Sequence, residues 1–224
     1  MNRQPVDYRA DDYHLTRHSE LIESTDLRDA WSSYAKRESF RGLDKRSRIL
    51  EFGGALGYNL VALASSHECH MLELSEIGRS YAAKCGIITH ADNAELVGEQ
   101  FDRILCRHVL EHVDHPLATL EFLRSLLKDN GTLIIVLPFE HPELAPTDVD
   151  IDHHLYCWNP RTIGNLLVKS GLKPTSWRYG YFNGRRLFLP LYKSFGPSTY
   201  YTFMKILGRL RRSKELIVEA MPNQ

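Results

Sequence analysis

The sequence lacks the long apolar runs and paired cysteines that mark membrane-spanning and disulfide-stabilised proteins. Its longest apolar run, residues 132–138 of 224, has the length of a strand and falls far short of the ~20 residues that span a bilayer. Residues 1–7 contain no apolar signal segment. The four cysteines form no C-x-x-C pair, which argues against a structural zinc site. We therefore expect a reduced, cytoplasmic protein.

An excess of one charge is also lacking, since 28 Lys and Arg balance 28 Asp and Glu. A neutral chain with no recognisable RNA-binding module argues against a nucleic-acid partner. The balance hides an asymmetry. Residues 1–160 hold 16 basic and 26 acidic side chains, whereas residues 161–224 hold 12 basic side chains and only Glu215 and Glu219 as acidic ones. The basic last third therefore requires its own explanation.

What the sequence does contain is an alternation of short apolar strands with amphipathic helices. The strands are predicted at residues 49–52, 70–74, 86–89, 101–106 and 132–137, and the helices at residues 58–64, 76–85 and 117–127, with Asn130-Gly131 ending the last helix. This alternation is typical of β-α-β units built around a parallel sheet. The predicted fold class is α/β, with a doubly wound Rossmann-like sheet.

The chain is predicted to form one domain made of four parts. The predicted parts are an N-terminal helical cap (residues 1–46), a core (47–182), a basic and aromatic insertion (183–213), and a last strand with its tail (214–224). Within the core, a long loop at residues 138–158 precedes a helix at 160–170. Loops of this length in compact domains usually carry function. We expect this loop to lie near the functional site.

The most informative motif lies where the first predicted strand meets the first helix of the core. Glu51 is followed there by a turn that contains Gly53, Gly54 and Gly57. Glycines at such a junction let a ligand approach the backbone closely and present helix-terminal N–H groups to it. The turn therefore predicts a ligand site at this end of the strand.

Polar side chains follow the next two strands at the same edge of the predicted sheet. Glu73 comes at the end of the second strand, where a carboxylate can accept both hydroxyls of a ribose. Asp92 and Asn93 follow the third strand. Ligands of open α/β sheets bind outside the carboxyl ends of the strands. Together with the glycine turn, these positions predict a cofactor that contains a nucleoside.

The glycine turn matches neither of two common phosphate-binding motifs. It lacks the second and third glycines of G-x-G-x-x-G, and no G-K-[ST] follows it. It resembles the first motif of class I S-adenosylmethionine (SAM)-dependent methyltransferases, [DE]-x-G-x-G-x-G, with Ala55 in place of the central glycine. The resemblance covers residues 47–172 and is most specific at residues 101–113. Its order of motifs is similar to that of the small-molecule branch that includes the ubiquinone-type O-methyltransferases.

This resemblance implies SAM as the cofactor, an antiparallel last strand and a role for each matched residue. Gly53, Gly54 and Gly57 would wrap the methionine end, with Glu51 orienting its ammonium group through water. Glu73 would hold the ribose, and Leu74 would lie against the adenine. Asp92, beside Asn93, would accept a hydrogen bond from the adenine amino group. Arg107 and His108 would form the lip beside the sulfonium.

Four histidines near the predicted strand ends are candidates for removing a proton from an acceptor. A hydroxyl acceptor must lose its proton during methylation, and histidine is the usual base near neutral pH. His108 follows the fourth strand and His112 comes four residues later, on the same face of a helix. His153 and His154 lie in the long loop. We take His108, His112 and His154 as the candidate catalytic residues.

The same region contains a possible metal-binding pattern, His108-x-x-Glu111-His112. Some ubiquinone O-methyltransferases bind a divalent ion with an acidic residue three before an equivalent Glu-His pair, so the set here matches only in part. Two imidazoles would also suit a transition metal better than Mg²⁺. We therefore favour catalysis without a metal ion and predict no metal ligand.

The resemblance implies an enzyme that transfers a methyl group from SAM to a small acceptor, and we favour oxygen as the acceptor atom. The alternative is a non-catalytic SAM-binding subunit that keeps the fold and has lost the acceptor site. The oligomeric state is left open by the sequence.

Residues 200–214 carry five positive charges and no negative one. As a helix they are predicted to present an apolar face made of Tyr200, Phe203, Ile206, Leu207 and Leu210. One interpretation is a helix packed on the sheet edge with a solvated basic side. The other is that Arg209, Arg211 and Arg212 select an anionic or lipid-linked acceptor and contact an anionic membrane surface.

Overall fold

The computed structural model describes residues 11–44, 46–140 and 153–223. Within these residues seven strands form one sheet: β1 (Arg48–Phe52), β2 (Glu68–Leu72), β3 (Ile88–His90), β4 (Phe101–Arg107), β5 (Leu127–Pro138), β6 (Leu172–Tyr181) and β7 (Lys214–Pro222). The order across the sheet is β3-β2-β1-β4-β5-β7-β6. Strands β1 to β5 are parallel to one another, whereas β7 runs antiparallel to both β5 and β6. The predicted α/β class and the antiparallel last strand are confirmed.

Helices cover both faces of the sheet, as a doubly wound fold requires. They are α1 (Asp11–Arg17), α2 (Ser19–Glu23), α3 (Thr25–Ser39), α4 (Glu76–Lys84), α5 (Pro116–Ser125), α6 (Pro160–Lys169) and α7 (Leu189–Leu210). On one face, buried side chains of the strands pack with those of α5 and α6. On the other face they pack with α4 and with the turns that follow β1. A third apolar cluster joins α3 to α7.

The segment that follows the glycine turn is not the helix predicted at residues 58–64. It forms successive turns, each closed by a hydrogen bond between residues three apart in sequence. The Leu60 N–H donates to the Gly57 carbonyl, and the Leu63 N–H donates to the Leu60 carbonyl. The three-residue repeat places Leu60 and Leu63 on the same side, and both are fully buried. Their burial favours tight turns over a regular helix.

A second difference lies before the fifth strand. The Asn130-Gly131 pair was expected to end a helix, but α5 ends at Ser125 and the pair lies within β5. Between the pairs Phe101↔Leu127 and Arg103↔Thr132 the register of β4 and β5 shifts, so β5 carries extra residues. A Cβ at Gly131 would lie 2.8 Å from the Phe101 carbonyl oxygen, which explains the glycine.

The helix in the basic insertion buries a different face from the predicted one. Phe203, Ile206 and Leu210 are exposed by 43%, 48% and 76%. The buried residues of α7 are Tyr200, Tyr201, Met204 and Gly208. A Cβ at Gly208 would lie 2.6 Å from the Phe182 backbone nitrogen, so the absence of a side chain lets α7 approach the end of β6. This close approach fixes the rotation of the helix.

The cap helix α3 packs on α7 through aromatic side chains. The rings of Tyr34 on α3 and Tyr201 on α7 lie 5.8 Å apart. The rings of Trp31 on α3 and Phe182, which follows β6, also lie 5.8 Å apart.

Within the described residues, no helix is both long and apolar enough to cross a bilayer. The cytoplasmic location and the division of the chain into four parts stay predictions.

Candidate active site

A cavity of about 740 Å³ lies at the carboxyl ends of β1, β2, β4 and β5, which is a usual size for a small-molecule site. The glycine turn and the residues after β2 form its floor. Helix α1, Trp31 of α3 and the segment after β6 line its opposite side. The cavity therefore lies between the sheet edge and the cap, where the sequence placed the ligand.

Seven of the ten predicted cofactor residues line this cavity: Gly53, Gly54, Glu73, Leu74, Asn93, Arg107 and His108. Glu51, Gly57 and Asp92 are not part of the lining. Asp92 accepts hydrogen bonds from the backbone N–H groups of Ala94 and Glu95 and caps the 3-10 helix Asn93–Leu96. The role of Asp92 toward an adenine stays a prediction.

The glycine turn is dictated by packing within the protein as well as by any ligand. Gly53 and Gly57 have φ angles of 73° and 74°, in the left-handed region that favours glycine. A Cβ at Gly53 would lie 2.6 Å from a methyl group of Val109, and one at Gly57 2.8 Å from the Ala82 Cβ. Ala55, which replaces the family's central glycine, also has a positive φ of 50°.

Glu73 is the side chain that holds Ala55 in this conformation. One carboxylate oxygen accepts from the Ala55 N–H at 2.8 Å and the other from the Ser75 N–H at 3.0 Å. The carboxylate is almost fully buried and lies 3.7 Å from His14 of α1. Each carboxylate oxygen can accept a second hydrogen bond. Glu73 thus joins the turn to the start of α4 and keeps acceptor capacity for a ribose.

Glu51 and Arg107 each keep one buried polar atom that has no hydrogen-bond partner among the described residues. Glu51 accepts from Asn59 with one oxygen at 2.5 Å, and its other oxygen has no hydrogen-bond partner among the described residues. Arg107 likewise keeps one buried nitrogen, Nη1, unpartnered in the described structure. Burial raises the pKa of Glu51 to about 7, against the opposing effects of Asn59 and Arg107. An ammonium group beside Glu51 and a carboxylate beside Arg107 would satisfy both atoms.

His108 is held between two carboxylates. Its Nε2 lies 2.8 Å from Glu215 and its Nδ1 lies 3.3 Å from Glu111. Burial lowers the pKa of His108, but the hydrogen bonds and charges of these carboxylates outweigh burial and raise it to about 9. His108 is therefore an imidazolium at neutral pH, and this makes it a poor proton acceptor.

Glu215 is a site residue that could not be identified from the sequence, as are His14, Arg17, Trp31 and Arg185, which line the cavity. Glu215 is 1% exposed and its carboxylate contacts both Arg107, at 2.5 Å, and His108. Burial alone would raise the pKa of Glu215, but the positive charges of Arg107 and His108 lower it by more than burial raises it. The pKa of Glu215 therefore lies below its ordinary value. A lone acidic residue beside the apolar run of β7 was the signal that could have indicated a buried charge.

The other two candidate catalytic histidines lie together at the far side of the cavity. The rings of His112 and His154 are 4.8 Å apart, and Nδ1 of His154 is hydrogen-bonded to Glu140. Potential ligand atoms of Glu111, His112 and His154 all lie within 4.8 Å of one another. These three residues could hold a metal ion, and metal-free catalysis stays a prediction. His153 is outside the lining.

Arg209, Arg211 and Arg212, at the carboxyl end of α7, do not line the cavity. Arg209 lies over the Tyr181 ring at 5.4 Å, and Arg211 and Arg212 are exposed. The arginines that do line the cavity are Arg17, Arg107 and Arg185. The predicted selection of an anionic acceptor by Arg209, Arg211 and Arg212 therefore lacks the contact it requires.

Comparisons with known proteins support the fold. Residues 23–181 match the model of a methyltransferase domain family. A ubiquinone biosynthesis O-methyltransferase from Dinoroseobacter shibae is 27% identical over 124 residues, which are 48% of this chain and 50% of that protein. The chain thus spans about half the length of the curated relative it matches.

Two solved structures share the fold over nearly the whole chain. A putative methyltransferase in complex with the Haloferax volcanii Trm112 activator is 15% identical, with a TM-score of 0.67 over 97% of this chain and 98% of that one. The Burkholderia thailandensis 1,6-didemethyltoxoflavin-N1-methyltransferase, solved with S-adenosylhomocysteine, is 18% identical. The TM-score is 0.59, and the match covers 99% of this chain and 93% of that one. At these identities the likeness concerns the fold alone. From the family match over most of its length, the chain belongs to the methyltransferase domain family, and its cofactor is S-adenosylmethionine.

Proposed function

We propose that this chain transfers a methyl group from SAM to a hydroxyl group of a small acceptor. The observation that carries the proposal is the composition of the cavity, which joins the glycine turn and Glu73 to the His112–His154 pair. Bound SAM supplies a methyl group already activated on a sulfonium. The protein's part is to align the acceptor oxygen and to take its proton.

His154 is the proposed base for the acceptor proton. Its Nδ1 is oriented by Glu140, and a carboxylate in this position fixes the tautomer in which Nε2 accepts a proton. Nε2 of His154 would take the hydroxyl proton as the acceptor oxygen gains the methyl group, while the sulfur–methyl bond breaks and S-adenosylhomocysteine is the leaving group. His108 is unsuited to this step because Glu215 and Glu111 keep it protonated. Both of its ring nitrogens face these carboxylates, so His108 is not assigned a proton-transfer role toward the acceptor.

A turnover assay on fractionated cell extract tests the proposal directly. The purified chain is incubated with labelled SAM and fractionated cell extract, and the methylated product is identified by mass spectrometry. We expect an oxygen-methylated small molecule and stoichiometric S-adenosylhomocysteine. A product methylated at nitrogen or carbon would refute the oxygen assignment.

The second candidate is a SAM-binding subunit without its own acceptor site. The observation that favours this candidate is Ala55, which replaces the central glycine of the family's first motif. SAM binding by calorimetry combined with no turnover in any extract fraction would support it. Turnover by the chain alone would exclude it.

We also propose a peripheral contact between α7 and an anionic membrane surface, which would deliver a lipid-linked acceptor. Phe195, Phe203, Ile206 and Leu210 are exposed along α7, and the exposed side chains of Arg209, Arg211 and Arg212 lie at its end. Exposed apolar groups beside basic ones favour anionic bilayers. Co-sedimentation with phosphatidylglycerol vesicles but not with phosphatidylcholine vesicles is expected. Equal sedimentation of wild type and Phe203→Asp would refute this contact.

A further inference from the structure

A chain of hydrogen bonds runs from the cap to the buried acid that precedes the glycine turn. The indole Nε1 of Trp31, on α3, donates to Oδ1 of Asn59 at 2.9 Å. The amide nitrogen of Asn59 donates in turn to Glu51 at 2.5 Å. Trp31 and Asn59 both line the cavity. The chain therefore connects a cap helix, through the cavity wall, to the end of β1.

The chemistry of these groups allows one orientation of the Asn59 amide. An indole nitrogen can only donate a hydrogen bond, so the atom that Trp31 contacts must be the amide oxygen. The amide nitrogen then faces Glu51, where it donates to the ionised carboxylate. In the reverse orientation the amide oxygen would face Glu51, and only a protonated Glu51 could bond to it. Trp31 therefore selects the orientation that favours the charged form of Glu51.

Several contacts hold the indole ring of Trp31 in place. The ring is buried and lies 5.8 Å from the ring of Phe182. The guanidinium groups of Arg107 and Arg185 lie 5.3 Å and 5.4 Å from its centre, within the range of cation–π attraction. A ring packed on several sides has few rotamers open to it, so its N–H stays directed at Asn59.

The ionised form of Glu51 needs this support because the carboxylate is buried. Burial raises the pKa of Glu51 to about 7, against the Asn59 hydrogen bond and the charge of Arg107, and the charge of Glu73 adds to the rise. Two further titratable groups act on Glu51 from the neighbouring strands β2 and β4, the thiols of Cys69 and Cys106. Burial raises the pKa of both thiols, so both are uncharged at neutral pH. Without the amide bond, Glu51 would keep its proton to a higher pH.

The second oxygen of Glu51 has the position and the chemistry to receive an ammonium group. This oxygen is buried and has no hydrogen-bond partner among the described residues. A Cβ at Gly54, which lines the cavity, would lie 3.1 Å from the carboxyl carbon of Glu51, so the carboxylate lies directly beneath the lining. A buried acceptor without a partner is costly, and an ammonium group, directly or through a water, supplies the missing donor.

We propose that Trp31 and Asn59 are positioning residues for the cofactor: the indole N–H fixes the Asn59 amide, and the amide holds Glu51 as the ionised acceptor for the ammonium group of SAM. This role rests on the contact predicted between Glu51 and that ammonium group. It is independent of the acceptor proposed above. It gives the cap a part in recognising the amino-acid end of the cofactor.

The test measures how strongly the protein prefers S-adenosylhomocysteine to 5′-methylthioadenosine, which lacks the amino-acid group. Calorimetry gives both affinities between pH 5.5 and 7.5, below the pKa of about 8 of a free α-amino group. In wild type the preference should rise with pH as Glu51 ionises near its pKa of about 7. Glu51→Gln assigns this transition, because a transition caused by a histidine of the lining would persist in that variant.

Two variants interrupt the hydrogen-bond chain at different points. Asn59→Leu keeps the size of the side chain and removes both bonds, so the preference at pH 7 should fall about tenfold or more, the factor that a charge-assisted hydrogen bond carries. Trp31→Phe keeps an aromatic ring and removes the indole N–H, so the preference should fall about threefold or more. In both variants the transition should move to higher pH, and the affinity for 5′-methylthioadenosine should stay at the wild-type value.

Ser32→Ala is the matched control, because it loosens the same helix without touching the chain. Ser32 follows Trp31 on α3, lies outside the lining, and accepts from the Ala62 N–H at 2.7 Å. The control should keep both the preference and the transition of wild type. A loss in Ser32→Ala equal to that in Trp31→Phe would show that the docking of α3 is the cause, and it would overturn the proposal.

A double variant shows whether Trp31 acts through Asn59. If it does, Trp31→Phe causes no further loss when Asn59→Leu is already present, whereas independent residues give additive losses. Additive losses, an unchanged preference in Asn59→Leu or Trp31→Phe, or a transition that persists in Glu51→Gln would each overturn the proposal. No step of this test requires turnover, so a failure of the methyl-transfer proposal is recognised separately, in the extract assay.

Discussion

Replacing Glu215 with Gln tests the interpretation that this carboxylate keeps His108 protonated. Glutamine has the same shape and can still accept a hydrogen bond from Arg107, but it carries no charge. Burial and Arg107 both lower the pKa of His108, and in the variant only Glu111 opposes them. We expect the pKa of His108 to fall from about 9 by more than one unit.

The magnitude follows from linkage between protonation and folding. A rise in the pKa of His108 from 6.5 to about 9 corresponds to ~3 kcal/mol of folding stability for a fully buried group. The His108 side chain is 36% exposed, and solvent screening reduces this contribution to about 1–2 kcal/mol. Because the folded-state pKa is raised, this stabilisation is complete below pH 6.5 and is lost as the pH rises through about 9. Because Glu111 keeps part of this effect in the variant, the stability difference between wild type and Glu215→Gln should narrow by at most about 1–2 kcal/mol across this window.

Two measurements check the prediction. Histidine ring resonances are titrated by NMR, with His108→Gln identifying the resonance, and urea unfolding is repeated between pH 6 and 9.5. Glu219→Gln is the matched control, because Glu219 lies on the same strand in a half-buried ion pair with Arg178, away from the cavity lining. A His108 midpoint at or below 6.5 in wild type, or near 9 in Glu215→Gln, would refute the reasoning.

Three further outcomes are expected. Glu73→Ala should weaken SAM binding tenfold or more by calorimetry, because charge-assisted bonds worth roughly 1.5–3 kcal/mol each are lost; unchanged affinity would refute the ribose assignment. His154→Ala should lower kcat by about 10²-fold or more with SAM affinity retained, and a near-wild-type kcat would transfer the role of base to His112. Gly53→Ala should lower the free energy of unfolding by more than about 1 kcal/mol, because its φ is 73° and its Cβ would meet Val109 at 2.6 Å; an unchanged Tm would contradict the packing described for the turn.

The sheet could be predicted because its strands carry their own signal. Residues 132–137 are apolar and rich in β-branched side chains, as a strand covered on both faces must be. The glycine turn could be predicted because backbone geometry restricts its residue types. Both features are local, and a local pattern is visible in a single sequence.

The site's electrostatics could not be predicted because the partners are distant in sequence. His108 and Glu215 are 107 residues apart, and their contact depends on the pairing of β7 with β5. The cap side of the cavity lining arises in the same way, since Arg185 follows β6 whereas Arg17 belongs to α1. The rotation of α7 depends on the small size of Gly208, which a count of apolar positions does not weigh.

The position of β7 between β5 and β6 in the sheet imposes an order on the folding of the chain. The glycine turn, Glu73 and Arg107 all lie on or beside strands that can pair early in synthesis, because their partners are close in sequence. The counter-charge for Arg107 arrives only with Glu215, after β6 and the whole of α7 have been made. Until then a guanidinium would occupy an apolar site without its carboxylate, so the lip of the cleft should be the last region to become ordered as the chain leaves the ribosome. Cofactor binding by a nascent chain would accordingly be delayed until residue 222 has emerged and β7 can take its place in the sheet.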